Sequence, residues 1–384
     1  MRILFTSIRN AGHFNPLVPF IDACRKRGHE VGVAAAVDLE AAVVKTGATF
    51  FVVDHPGDQV LGPIWAQLPK MTQREAQRTV IGEIFARLNG GAALPKMLAA
   101  IERWKPAIVV REATEFGGAV AAEARGIPHV RVGITMSSLE AEARAMAADA
   151  VADLRGRVGL PIDPHGEALS RAPYLTLFPA SFDPNPIAQR FHVPAPTAPA
   201  APLPDSLPEA WWPGQKGPLV YLTFGSVAGG MAVVRSAYPT AIAAMGGLDA
   251  RVLLTTGMGA DLETLGPIPP NVHVERWVPQ ADVLAHAAAV VCHGGSGTTM
   301  GTLAAGIPLV VVPLFADQPD NARRVAELGA GLNVERDTNA IRLATTRVLA
   351  EPSFRHRARA LAEEMAALPP IDRAVDALEK AALK

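Results

Sequence analysis

Between residues 287 and 305 an apolar run, Ala287 to Cys292, passes into the turn His293-Gly294-Gly295-Ser296-Gly297-Thr298-Thr299 and then into an Ala, Leu and Met helical segment ending near Ala305. The run is short and wholly apolar, so it reads as a strand buried on both faces, and the glycines mark a tight turn into a helix. Such a turn aims several free backbone N–H groups and the positive end of a helix dipole at one point. That arrangement suits a phosphate or diphosphate.

The same unit occurs twice more. Arg2 to Ile8 is a strand, followed by the turn Arg9-Asn10-Ala11-Gly12-His13-Phe14 and then Asn15-Pro16, an N-cap residue with proline at the first helical position. The helix then carries Leu17, Val18, Phe20, Ile21 and Cys24 and stops near Gly28. Far downstream, Leu219 to Phe224 leads into Gly225-Ser226-Val227-Ala228-Gly229-Gly230 and a helix from Met231 to Met245. Strands expected at 30–36, 49–53, 107–111 and 129–132, and in the second half at 251–255, 272–275, 289–292 and 308–312, alternate with helices. The expected fold class is α/β, with two Rossmann-like doubly wound domains facing across a cleft, ligands gathering at the carboxyl ends of the strands.

Two stretches interrupt the rhythm. From His55 to Ala93 the chain is helical but irregular, with Trp65, Leu68, Met71, Ile81, Ile84, Phe85 and Leu88 scattered through it, as in a variable pocket wall. A helical span near Leu139 to Arg155 is a second candidate wall, and Tyr174 to Phe178 reads as the last strand of the first half. Seven prolines between Pro194 and Pro213 mark a linker. The expected boundaries are a first Rossmann-like domain at 1–194, a linker at 195–217, a second Rossmann-like domain at 218–367 and a final helix at 368–384 packing back on the first domain.

Composition excludes several classes of partner. The 384 residues exceed one ordinary core, and 49% hydrophobic against 19% charged residues describes a well-buried globular chain. Lys+Arg 36 against Asp+Glu 37 leaves a net charge of −1, too little positive field for nucleic acid or an anionic membrane. Cys24 and Cys292 have apolar neighbours and no metal-ligand spacing. The N-terminal strand turns polar by Ser7, and no apolar run approaches the length of a membrane span. The expected protein is cytoplasmic and soluble, works on small molecules, and leaves a homodimer open.

Taken in order, Trp277-Val278-Pro279-Gln280, His293-Gly294-Gly295-Ser296-Gly297-Thr298 and Asp317-Gln318 make the second half resemble the nucleotide-sugar domain of family 1 glycosyltransferases of the GT-B type. The Gly12-His13 turn extends the resemblance over essentially the whole chain, and the likeness is to the actinobacterial branch acting on antibiotics and other natural products, enediynes and macrolides among them. The resemblance implies that Trp277 stacks on the nucleobase and the Val278 backbone pairs with the base edge. It implies that His293, Gly295, Ser296, Gly297 and Thr298 hold the diphosphate, with Ser226 approaching from another loop, and that Asp317 and Gln318 bind hydroxyls of the donor sugar. Each has a plainer alternative: a core tryptophan, a histidine that only caps the turn, an Asp317 that only caps the next helix.

The same resemblance makes His13 the general base that takes the proton of an acceptor hydroxyl, oriented by a carboxylate. The usual aspartate is absent from Val110-Arg111-Glu112-Ala113-Thr114-Glu115, so Glu112, ahead of Glu115, must serve or the dyad is incomplete. Trp65, Ile84, Phe85 and Leu88 are the candidate acceptor contacts. Plant relatives carry a ribose-binding glutamate where this chain has Gly301, which favours a dTDP-sugar, deoxysugars included, over a UDP-sugar. No Asp-x-Asp occurs, so no metal or other cofactor is expected and activity should survive EDTA, with inversion at the anomeric carbon. The rival readings are a nucleotide-sugar epimerase or hydrolase, which would turn over donor alone, and a non-catalytic nucleotide-sugar-binding accessory protein.

Overall fold

The structure is a computed structural model describing residues 1–193, 207–225 and 232–383. The chain forms two compact units, Met1–Val193 with Pro369–Lys384, and Pro194–Leu368.

The first unit is built on a seven-stranded parallel sheet: β1 (Arg2–Thr6), β2 (Glu30–Ala35), β3 (Thr49–Val52), β4 (Ile108–Glu112), β5 (His129–Val132), β6 (Tyr174–Thr176) and β7 (Gln189–Arg190). Their spatial order is β3-β2-β1-β4-β5-β6-β7. The period-two alternation of a strand explains how β1 is buried on both faces. Ile3 and Phe5 pack with Leu17, Phe20 and Ile21 of the following helix, whereas Leu4 packs with Leu94, Met97 and Val120 on the opposite face. Each such fully buried side chain contributes about 1.5–3 kcal/mol. The final helix, Asp372–Ala382, belongs to this unit. It buries Ala374, Val375, Leu378 and Ala381 at helical spacing and pairs Asp376 with Arg27 and Glu379 with His29 at its edge.

The second unit repeats the arrangement with six strands: β8 (Leu219–Thr223), β9 (Arg251–Thr255), β10 (Val272–Glu275), β11 (Ala287–Cys292), β12 (Leu309–Val311) and β13 (Gly331–Asn333). The order is β10-β9-β8-β11-β12-β13, again all parallel. The doubly wound pattern expected from the sequence is therefore present in both units. In each the strand order reverses beside the first strand, between β1 and β4 and between β8 and β11, and ligands of such sheets collect at these points.

Several local expectations give way. The first helix begins at Ala11, four residues before Asn15-Pro16, and Asn15 makes no side-chain cap. Strands β7 and β13 were not anticipated, because two or three residues carry no readable periodicity. Most of the proline-rich span lies outside the described residues, as do Ser226 and its glycine loop. Within 209–217, expected as linker, Trp211, Trp212 and Gln215 make contacts with the second unit. Trp212 is buried with its indole N–H donating to the Val252 carbonyl, and the Trp211 ring stacks on His273 at 4.5 Å.

Candidate active site

At the reversal point of the first sheet, β1 hands the chain to a single helical turn, Ala11–Phe14, that carries His13. Asn10, directly before it, takes φ +143°, a strained conformation for a non-glycine residue. Its carbonyl accepts the N–H groups of His13 and Phe14, both at 3.1 Å, so the strained residue starts the turn. His13 Nδ1 lies 3.1 Å from Glu112 Oε1, and Glu112 is the last residue of the neighbouring strand β4. The Glu112 side chain is 0% exposed and that of His13 is 16% exposed.

Glu112 and Glu115 send their carboxylates in different directions. Glu112 Oε2 accepts from the Thr114 N–H at 2.6 Å, and both of its oxygens are within reach of the Thr114 hydroxyl. Glu115 points elsewhere: it accepts from the Thr6 hydroxyl and from the Gly118 N–H, at the start of the helix Gly117–Ala124. Complete burial pushes the Glu115 carboxyl above its usual range, in spite of those bonds. Arg111 is buried on the other side of β4, and its guanidinium donates to the carbonyls of Glu112, Ala113 and Glu115.

Of the four candidate acceptor contacts, Phe85 is brought against His13, edge to face with ring centroids 5.3 Å apart. Ile84 is a correction: it is 1% exposed and serves as packing inside the unit, since adjacent helical residues point in different directions. Leu88 is half-buried, and Trp65 is 40% exposed on a separate helix, Asp58–Gln67. The irregularity of this region has a structural cause, because Thr79–Gly90 is wound as a wide π-type helix between ordinary helical turns.

At the reversal point of the second sheet, β11 runs into His293 and the helix Ser296–Ala304. Gly294 takes φ +86°, and a Cβ there would stand 2.6 Å from Val311 Cγ1, so the turn excludes a side chain. Gly295 precedes the helix without a side-chain cap, and the N–H groups of the first helical turn, at Ser296, Gly297 and Thr298, have no partner within the helix. His293 is 8% exposed with its ring against Gly225 and Gly295. Burial lowers its pKa to about 4, so at neutral pH it is an uncharged imidazole with one N–H to donate.

Asp317 does not cap the helix that follows it. Its Oδ2 accepts from the Ser296 hydroxyl at 2.6 Å and from Asn321 Nδ2 at 3.0 Å, which ties it to the glycine turn. Gln318 is less available than expected, since its Oε1 accepts the N–H groups of Leu314 and Phe315. Asn321 was missed in the sequence. Fully buried, its amide also donates to the Gly294 carbonyl and the Ser296 hydroxyl, holding both loops together. An asparagine on an amphipathic helix carries no signal of such a role until its neighbours are known. Trp277 is 58% exposed just past β10, which rules out the core-tryptophan alternative, and Val278 beside it is half-buried. A Cβ on Gly301 would meet Gln280 Nε2 at 2.5 Å, so the Gln280 side chain covers the position where plant relatives place a glutamate.

Sequence profiles described as Erythromycin biosynthesis protein CIII-like, N-terminal domain and C-terminal domain, match residues 22–212 and 240–380. The elloramycin glycosyltransferase ElmGT of Streptomyces olivaceus is 32% identical, covering 96% of this chain and 94% of its own. Among solved structures, the glycosyltransferase SnogD from Streptomyces nogalater superposes with a TM-score of 0.78 at 28% identity over 100% of this chain and 99% of its own. The glycosyltransferase VinC, solved in complex with dTDP, gives 0.76 at 27% identity over 100% and 99%. Two parallel-sheet units of GT-B type, each with a histidine-bearing turn at its strand reversal, and family matches in both halves lead to one conclusion: the chain belongs to the Erythromycin biosynthesis protein CIII-like family, the natural-product glycosyltransferases of antibiotic pathways.

Proposed function

We propose that the chain moves a sugar from a dTDP donor to a hydroxyl of an apolar natural-product acceptor, in one displacement with inversion at the anomeric carbon. The observation that carries this reading is the pair His13 and Glu112, 3.1 Å apart, with the carboxylate fully buried. Glu112 accepts the proton on Nδ1, which leaves the Nε2 lone pair to take the acceptor's hydroxyl proton as that oxygen bonds to the anomeric carbon. The bond from that carbon to the diphosphate oxygen breaks in the same step. The first-turn N–H groups at Ser296, Gly297 and Thr298, with neutral His293, stabilise the departing diphosphate without asking for a metal ion.

The exposure of Trp277 supports a stack on the base, and the anchoring of Asp317 by Ser296 and Asn321 supports its role toward the sugar hydroxyls. Preference for dTDP is supported by Gly301 beneath Gln280 and by the nucleotide bound to VinC. Phe85 beside the base favours an apolar acceptor surface. The reading keeps the enzyme in the cytoplasm with small-molecule substrates and leaves a homodimer open. The test is to incubate the protein with dTDP- and UDP-sugars against a panel of aromatic and polyketide alcohols, with products identified by mass spectrometry and anomeric configuration by NMR. An inverted glycoside formed from the dTDP donor is expected. Donor consumed without any acceptor would favour a hydrolase or epimerase, and a UDP preference would remove the Gly301 argument.

A further inference from the structure

We infer that Thr114 is a positioning residue of the transfer reaction, setting the Glu112 carboxylate against His13. The inference rests on the reading of His13 as the base and deepens it. Thr114 holds Glu112 twice over. Its N–H donates to Oε2 at 2.6 Å, and its hydroxyl oxygen stands 2.9 Å from Oε2 and 3.1 Å from Oε1. The same hydroxyl oxygen lies 3.3 Å from His13 Nδ1, so imidazole, carboxylate and hydroxyl form a closed triangle.

Proton bookkeeping assigns the direction of each bond. A carboxylate has no proton to give, so the hydroxyl proton of Thr114 goes to Glu112, and the Thr114 oxygen then presents a lone pair toward Nδ1. Two acceptors facing Nδ1 keep the proton on that nitrogen and leave Nε2 free for the acceptor hydroxyl. A glutamate has one more rotatable bond than an aspartate, and without a second anchor its carboxylate would sample positions away from the imidazole. Thr114 is the second anchor. Its own place is fixed from below, where Arg111 donates to the carbonyls of Glu112, Ala113 and Glu115 and so holds the loop that presents the Thr114 N–H. Thr114 is 4% exposed and borders the reacting groups without needing to touch the substrate.

The test is a double-mutant cycle on Thr114→Val and Glu112→Gln, with Thr114→Ser as the conservative variant and His13→Ala alongside. Valine keeps the shape and the backbone N–H while removing the hydroxyl, and dTDP titration with a thermal melt checks that each variant is folded. Thr114→Val is expected to lower kcat roughly tenfold with donor KM unchanged, Thr114→Ser to restore most of it, and the valine to add less than about twofold once Glu112 is Gln. Unchanged kcat in Thr114→Val, or an equal loss in both backgrounds, would overturn the inference. His13→Ala distinguishes the two failures: full turnover there removes the base reading itself, whereas lost turnover there with an innocuous Thr114→Val removes Thr114 alone.

Discussion

Trp277 shows what a single residue can announce. An indole left 58% exposed has been kept for something other than packing, and a nucleobase is the partner its place after β10 suits. Trp277→Ala should weaken dTDP binding by roughly 1–3 kcal/mol, about fivefold to 150-fold, by calorimetry, with the melting temperature nearly unchanged. Loss of stability with intact binding would return Trp277 to a structural role. Glu112 and Glu115 mark the limit of such reading. Three residues apart, they are hard to separate on paper beyond a preference for Glu112, and the strand end does it: Glu112 closes β4 facing His13, while Glu115 accepts the Gly118 N–H at the start of the next helix. Asn321 and the Gln318 carbonyl oxygen were illegible for a related reason, since both are defined by loops that come near only after folding.

Among the elements, the glycine turn at 293–299 was readable because its chemistry is local. A short apolar strand, consecutive glycines and a helix start admit few conformations, and Gly294 at φ +86° with Val311 2.6 Å from a would-be Cβ shows why glycine stands there. Gly294→Ala should therefore cost roughly 1–3 kcal/mol of stability in denaturant melts and also lower dTDP affinity, because the same turn presents the N–H groups. Stability and affinity both at the wild-type level would refute the placement of this turn. The stretch from 58 to 104 was legible as helical and no further. Across Thr79–Gly90 the hydrogen bonds widen to a π-type pattern, so apolar residues lose the spacing by which a buried face is recognised. That is why Ile84 looked like pocket wall and is packing, while Phe85 beside it reaches His13.

For the whole molecule, the repeated strand and helix alternation carried the architecture, and it produced two parallel sheets whose first six strands follow the same order, the first sheet adding β7. Buried neutral histidines make stability depend on pH. His293, with a pKa near 4, stays uncharged in the folded state, whereas the unfolded chain protonates it near 6.5, and burial pushes the His129 pKa down in the same direction. The unfolded state then binds more protons, so stability is full above about pH 6.5 and falls as pH drops toward 4, by roughly 3 kcal/mol for His293 alone. Chemical denaturation between pH 7 and 4 should show that slope, and His293→Asn should flatten it. A pH-independent midpoint would contradict the burial of these rings. Transfer should also persist in EDTA, since the turn and helix supply the positive end that a metal would otherwise provide.

If His13 performs proton transfer while other residues hold the nucleotide, glycoside formation and dTDP affinity come apart when both are measured on the wild type and His13→Ala. Turnover in His13→Ala should fall by at least about a hundredfold with dTDP affinity within about twofold of the wild type. Wild-type turnover in His13→Ala would contradict that role for His13.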